Sequence, residues 1–418
     1  MKIAIIIERA DVVLGGAERS VFELAAVLLT LGLDVHILAA KGQQSQKNIH
    51  LLCQNAPEKR VPYFTFAKAL KKHLSQNSYD IIHSVLPFDF ADVYQPRGGA
   101  YAQAGLRNAA SYQNSFLVSY KKITAFANLR RTILMRAEKT LCKDPNGPVI
   151  AALSQYVANQ FKREYGVADH RIVVIPNGVK IYPAPIEPEP QRYKPAAGAS
   201  LSLQDNWCGA DGLRSQILAQ LNLKEVDKPI LFLFVANNFR LKGLRPLIKA
   251  MHLAAPAASL LRSKTAGAYL VVAGRDNSRK YLRLAKKLNV HKRIAFLGKV
   301  RHIQNALSAT DVAVLPTFYD PASRFLLEAL ANNKPVITTK FNGAIDLFVD
   351  GRHGKVIDSP ENIPALADAI NYFSDVKNIQ RASAAIVQDN LNEKISINRA
   401  ANQLTALYES ILKKRRQQ

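Results

Sequence analysis

Cysteine is nearly missing from this sequence: Cys53, Cys142 and Cys208 are the whole complement, and no two stand in a CxxC or other paired spacing. That disfavours a disulfide framework and a structural zinc site, and it fits a reducing compartment. Long apolar runs are missing too. The first one, Ile3-Ala4-Ile5-Ile6-Ile7, meets Glu8 and Arg9 at once. It falls far short of the roughly 20 residues that a spanning helix needs, and it lacks a cleavage site. It reads as a buried parallel strand in a cytoplasmic protein, with any membrane contact peripheral. Acidic residues are scarce, 32 Asp and Glu against 57 Lys and Arg, for a net charge of +25. Such an excess implies attraction to an anion: nucleic acid, phospholipid headgroups or a phosphorylated glycolipid. No GxGxxG and no DxD in a suitable loop is present, which weakens a dinucleotide reading and points away from a metal-assisted one. Low-complexity tracts are absent as well.

What is there is a folded chain of 418 residues, 48% apolar and 21% charged, too long for one comfortable core and suited to two domains. Short β-branched runs alternate with helical patterns, the mark of parallel sheets covered by helices. Candidate strands in the first half are 3–7, 35–39, 81–83, 149–152 and 172–175, with helices at 17–31 and 66–76. The alternation restarts with strands 230–235, 269–273, 294–297, 312–315 and 335–338 and helices 242–254, 279–288 and 323–331. Between the halves, five prolines fall within 182–195, and helical pattern recovers only near 213–221. The expected organisation is a first Rossmann-like domain at 1–179, a linker with a surface insertion at 180–224, and a second Rossmann-like domain at 225–385. A terminal segment follows at 386–418, with a helix at 390–414 that either caps the second domain or crosses back to the first. Two such halves leave a cleft faced by the C-terminal edges of both sheets, where open α/β sheets bind ligands.

Three groups there can carry chemistry. Gly15-Gly16-Ala17-Glu18-Arg19 follows the first strand and opens a helix. Its glycines permit close backbone approach, and a helix N-terminus offers free N–H groups to an anion; a tight turn alone would also use them. Asn237-Asn238-Phe239-Arg240-Leu241-Lys242-Gly243 follows strand 230–235. Arg240 and Lys242 are placed to neutralise a leaving diphosphate without a metal, against the plainer reading of a solvated basic loop. In Asp320-Pro321-Ala322-Ser323-Arg324-Phe325-Leu326-Leu327-Glu328, Asp320 can N-cap a helix and Pro321 suits its first position. The N–H groups of Ala322, Ser323 and Arg324 would then face an anion. Glu328 would sit about 10 Å along the axis, roughly the span from diphosphate to ribose, where a carboxylate can take both ribose hydroxyls. Apolar neighbours on both sides argue against a merely solvated position for it.

This constellation resembles the retaining glycosyltransferases of family 4. It comprises a basic loop with Lys242-Gly243, a strand ending Val272-Ala273-Gly274, the run Asp311-Val-Ala-Val-Leu-Pro316, and an acidic residue followed eight places on by Glu328. The lipopolysaccharide core glucosyltransferase type is the nearest in pattern. Ile175-Pro176-Asn177-Gly178-Val179 is similar to the segment with which those enzymes end their first domain, and Leu14 to Arg19 resembles their phosphate loop. The match covers most of 1–180 and 228–385; the stretch 181–224 has no counterpart. It implies the α/β GT-B fold and transfer of a hexose from a nucleotide-diphosphate sugar, UDP-hexose foremost, with retention of anomeric configuration and without a metal ion. The nucleotide sugar is then a co-substrate, and no other cofactor is implied. Lys242, with Arg240, would bind the donor diphosphate, Glu328 its ribose, and Asp320 would face the transferred sugar. Gly15, Gly16, Gly274, Ala322, Ser323 and Arg324 would line the donor site. The family usually has Glu at position 320, often Gly at 323, and commonly Arg at 241; these departures bear on the sugar and on the arginine's role.

On the acceptor side, His83 ends a strand, and Asp92, Arg97, Gly98 and Gly99 follow in a cleft loop. His83 is a candidate for work near the acceptor, or a core histidine. Lys121, Lys122, Arg130, Arg131, Arg136 and Lys139 punctuate apolar residues between Phe116 and Cys142. That is a basic amphipathic helix, suited to anionic lipid, to a phosphorylated acceptor, or only to water. The expected partners are a nucleotide sugar, a glycolipid or polysaccharide acceptor, and the inner face of the cytoplasmic membrane, with no specific nucleic acid. Two rival readings remain: a UDP-sugar epimerase of the same fold, and a non-catalytic protein binding anionic lipid or nucleic acid, motivated by the charge.

Overall fold

The computed structural model describes residues 1–11, 16–43, 47–56, 60–112, 115–124, 128–181, 210–227, 229–254, 267–300 and 302–417. The chain forms two compact units. The first comprises Met1–Lys180, Asp320–Arg324 and Ile395–Gln418; the second comprises Ile181–Tyr319 and Phe325–Lys394. Most of the proline-rich stretch expected as a linker and insertion, 182–209, lies outside the described residues.

The first unit's strands are β1 (Lys2–Ala10), β2 (Asp34–Gly42), β3 (Ile49–Leu51), β4 (Ile81–Ser84), β5 (Val93–Tyr94), β6 (Val149–Ala152) and β7 (Ile172–Val174). Its helices before residue 180 are α1 (Gly16–Thr30), α2 (Tyr63–Gln76), α3 (Tyr101–Ala110), α4 (Ser115–Thr124), α5 (Leu129–Lys143) and α6 (Gln155–Tyr165). The strands form one parallel sheet in the order β3-β2-β1-β4-β5-β6-β7. Alternate residues of a strand point to opposite faces. Ile3, Ile5 and Ile7 accordingly join one core cluster with Val21, Leu24 and Leu28 of α1. Ala4 and Ile6 join another with Phe66 and Leu70 of α2 and with Phe88. A strand buried on both faces reads as a continuous apolar run, which is why β1 was legible.

The second unit opens with α7 (Ala210–Gln220). Its strands are β8 (Ile230–Val235), β9 (Ala268–Ala273), β10 (Ile294–Gly298), β11 (Val312–Leu315), β12 (Val336–Thr339) and β13 (Gly354–Ile357). Its helices continue as α8 (Leu244–Leu253), α9 (Arg279–Lys287), α10 (Ile303–Ser308), α11 (Arg324–Ala331), α12 (Ile363–Tyr372), α13 (Val376–Gln388) and α14 (Leu391–Lys394). The parallel order is β10-β9-β8-β11-β12-β13. Chain order reverses between β8 and β11, as it does between β1 and β4 in the first unit. Such switch points are where an open α/β sheet leaves a crevice at its strand ends.

Two expectations about helices need correction. The basic segment 116–142 is not one helix: α4 ends at Thr124, and Asn128 starts α5 by accepting from the Arg131 N–H at 3.1 Å. Asn at an N-cap bonds the third amide and so begins a helix rather than continuing one. The terminal segment is likewise two helices, α14 and α15 (Ile397–Gln417), and α15 belongs to the first unit. Ser396 bridges Val179, and Gly178 lies so close to Ile397 that a Cβ on it would stand 2.3 Å from the Ile397 Cα. Ala401, Leu404 and Tyr408 of α15 complete the core around Ile3, Ile5 and Ile7, and Arg415 pairs with Asp92. No helix among the described residues is long and apolar enough to cross a membrane.

His83 lies inside this core, 1% exposed, with Nδ1 sharing a 2.5 Å hydrogen bond with the Tyr408 hydroxyl. Burial, with the Arg97 charge adding to it, pushes its pKa down from 6.5 to about 3. The unfolded chain takes up a proton as pH falls below 6.5, and the folded unit does not, so this histidine costs stability progressively between pH 6.5 and 3 and nothing above. The urea midpoint of the native protein should therefore drop between pH 6.5 and 4. In His83→Gln the slope is expected to be shallower by up to about 1.4 kcal/mol per pH unit.

Candidate active site

In the second unit the loops after β8, β9 and β11 come together at the C-terminal edge of the sheet. The loop after β8 folds over Asn238, whose Oδ1 accepts from the Leu241 N–H at 3.0 Å. Gly243 then turns into α8 with φ +83°, and a Cβ there would lie 1.9 Å from the Pro316 carbonyl oxygen. Only glycine fits that approach. On the β11 side, the Phe318 N–H donates to the Leu241 carbonyl at 2.9 Å. Thr317, wholly buried, bonds the Leu241 and Tyr319 carbonyls through its hydroxyl at 3.2 and 2.9 Å. Thr339 anchors the Thr317 carbonyl from β12 at 2.6 Å. Lys242 is half-buried on this frame, its ammonium donating to the Tyr319 carbonyl at 3.1 Å. Gly274, just after β9, has φ +148° and packs under the Ala236 carbonyl, where a Cβ would be at 1.8 Å. The Phe239 N–H donates to Asp276 of the same loop at 2.8 Å. Arg240, next along the chain, is half-buried. The switch point is thus flanked by Lys242 on one side and by the Pro316–Tyr319 turn on the other.

Glu328, on α11, is 6% exposed, so its carboxylate is buried and not a solvated helix group. The helix itself begins later than expected: Arg324 is its first residue and Ser323 stands just before it. Asp320 is therefore not the N-cap. Residues 320–323 form a bent approach, and only Arg324 to Glu328, about 6 Å along the axis, follows helical rise.

That approach segment packs within the first unit. The Pro321 carbonyl accepts from the Ser154 hydroxyl at 2.7 Å, and the Ala322 carbonyl accepts from the Asn177 amide at 3.3 Å. Arg324 forms a 2.7 Å ion pair with Glu23 of α1, both side chains mostly buried. Asp320 is half-buried, while Ala322 and Ser323 are buried. Asn177 also accepts from Arg97 Nη1 at 2.6 Å, and the same nitrogen reaches Ser20 of α1 at 2.9 Å. Burial pushes the Arg97 pKa down to about 10, so it remains a cation, and its Nε has no partner among the described residues. A small pocket opens beside it, lined by Ser20, Gln95, Asn177 and Gly178. Gly98 is exposed and Gly99 turns with φ +68°. Gly16 begins α1, where a Cβ would meet the Arg324 side chain at an ordinary 3.7 Å; Gly15 lies outside the described residues.

Two residues assigned to the acceptor side have structural work instead. Asp92 accepts from the Ile82 N–H at 2.8 Å and pairs with Arg415. His83 is enclosed with Tyr408, and a histidine with its pKa near 3 inside a core is not placed to take a proton from a substrate. Residues that pattern reading passed over are Asn177, known only as part of a motif, and Thr317, a lone threonine after a strand. Their side-chain bonds reach 145 and 76 positions along the chain, which no local spacing announces.

Two doubly wound parallel units define the GT-B class of two Rossmann-like domains. Residues 14–181 match the family model Glycosyltransferase Family 4, and residues 219–386 match Glycosyl transferases group 1. The chain belongs to these glycosyltransferases. It is 32% identical over 130 residues to the lipopolysaccharide glucosyltransferase WaaG of Escherichia coli K12, a stretch covering 31% of this chain and 33% of that protein. It is 28% identical over 150 residues to the lipopolysaccharide core biosynthesis glycosyltransferase LpsE of Rhizobium meliloti, covering 36% of this chain and 37% of that one. The chain thus aligns with about a third of the length of these relatives. Among solved structures, WaaG superposes with a TM-score of 0.64 at 20% identity, covering 99% of this chain and 98% of that one. HepE of Anabaena in complex with UDP-glucose superposes with 0.65 at 18%, covering 98% and 100%.

Thr317→Val keeps the shape but takes one donor from each of the Leu241 and Tyr319 carbonyls and leaves the buried Tyr319 N–H without the hydroxyl that accepts from it. It is expected to destabilise the second unit by about 1–3 kcal/mol, read as a lower urea midpoint.

Proposed function

We propose that this glycosyltransferase moves a hexose from a nucleotide-diphosphate sugar, UDP-hexose foremost, to a lipopolysaccharide-core or related surface-glycan acceptor with retention at the anomeric carbon. The observation that carries the reading is the frame at the β8/β11 switch point. It fixes Lys242 to the Tyr319 carbonyl, and nine residues further on a helix buries Glu328. A diphosphate at that edge would be neutralised by Lys242 and Arg240, with no metal ion called for. Preorganised cations at a leaving group act most strongly in the transition state, where its charge develops. Glu328 would accept from the ribose hydroxyls and so orient the donor. Asp320 would face the transferred sugar, and the backbone of Ala322, Ser323 and Arg324 would line the same side, with Gly15, Gly16 and Gly274 permitting close approach.

Retention follows in this proposal from attack on the donor's own leaving-group face. The departing diphosphate oxygen takes the acceptor hydroxyl's proton as the glycosidic bond breaks and the new one forms, so no covalent sugar–enzyme intermediate is required. Arg97, cationic and tied to Asn177 and Ser20, is the acceptor-side group best placed to meet an anionic substituent, with Gly98 and Gly99 beside it. The peripheral membrane role rests on α4 and α5, where Phe116, Tyr120 and Leu129 are 77%, 51% and 73% exposed among Lys121, Arg130 and Arg136. Apolar tips with basic neighbours suit the interface of an anionic leaflet, here the inner face of the cytoplasmic membrane.

UDP release from a panel of UDP-hexoses tests the donor assignment. Glu328→Ala and Lys242→Ala are each expected to cut release at least about 100-fold with the fold retained by circular dichroism. If no UDP-hexose supports release and UDP does not bind, the uridine assignment is wrong and GDP and ADP donors take its place.

A further inference from the structure

Helix α9 carries charge of one sign only. Arg279, Lys280, Arg283, Lys286 and Lys287 are all exposed, and the helix contains no acidic residue. At 100° per residue the five fall within an arc of about 120° and span about 12 Å. Tyr281 and Ala285 occupy the opposite side and are buried against the unit. None of the five makes an ion pair among the described residues; Lys280 only rests 5.0 Å from the ring of its neighbour Tyr281.

Such a face is not explained by folding. Arg279 and Arg283, and Arg283 and Lys287, are like charges at i,i+4, a spacing that destabilises a helix. Lys292, also exposed, extends the charge beyond the C-terminal end. No large apolar side chain is exposed on the helix, so the face can adsorb to a surface but has nothing to insert.

We propose that α9 is an electrostatic landing face for the anionic phospholipid headgroups of a bilayer. This rests on the peripheral membrane role proposed above, but on different residues, in the other unit, and by a different physical mode from α4 and α5. Mobile headgroups gather under a flat cationic row without a fixed spacing between them. A single-stranded nucleic acid would want exposed aromatic rings for stacking, and the one aromatic of this helix is buried.

The test is co-sedimentation of the whole protein with phosphatidylcholine vesicles, with and without about one-third phosphatidylglycerol, at low and high salt. The protein with all five residues changed to Gln is compared with Phe116→Ser/Leu129→Ser, and melting temperature and UDP release are followed in parallel. The five-Gln protein should bind the anionic vesicles at least tenfold more weakly, melt no lower than the native protein, and lose most of the salt dependence. The Phe116→Ser/Leu129→Ser protein should keep that salt dependence. Unchanged binding of the five-Gln protein, or no binding of the native protein to anionic vesicles, overturns the landing face. So does a loss confined to binding of single-stranded DNA, which would make the face a nucleic-acid surface. Failure of every nucleotide sugar to be cleaved would count against the proposed reaction and leave this result standing, since vesicle binding is read without turnover.

Discussion

The approach of Gly243 to the Pro316 carbonyl is the constraint on which the second unit's site depends. A glycine at φ +83° lets the loop after β8 lie directly against the loop after β11, and the Thr317 hydroxyl then bonds both. Lys242 follows from that contact: its ammonium reaches Tyr319 only because its neighbour has brought the two loops together. The entropy of a long lysine is partly lost in folding, which leaves its charge fixed at the sheet edge.

The first unit uses a different device. There Arg97 joins three segments distant in sequence, reaching α1 through Ser20 and the approach segment through Asn177. A buried arginine is retained at such a junction because its planar fork can satisfy several acceptors at once. Glu23 performs the complementary task on α1, accepting both Arg19 and Arg324.

The fold was readable where strands are buried on both faces. β6, β8 and β11 begin and end where their apolar runs do. β3, β5 and β13 were not foreseen, and the reason is physical. Two or three residues of edge or bridging strand, or a run such as Gly354-Lys355-Val356-Ile357, carry too little pattern to stand out from a loop. The candidate site was legible only as residue types: Lys242 and Gly274 follow strands, and Glu328 stands out as a carboxylate in an apolar helix. It was illegible wherever a role is set by a distant partner. Asp92 reads as a cleft-loop acid because nothing local reveals that the 415th residue returns to it. Asp320 looked like a cap because Asp-Pro usually is one, yet the segment bends to bond Ser154 and Asn177 before the helix can start.

The return of α15 has a consequence in time as well as space. The sheet around β1 leaves the ribosome before α15, yet Ala401, Leu404 and Tyr408 of that helix are needed to close its core. During synthesis the N-terminal sheet therefore waits with one apolar face uncovered while the second unit, contiguous for most of its length, completes itself. Domains ordinarily fold from the N-terminus onward; here the sheet that emerges before the second unit is sealed after it.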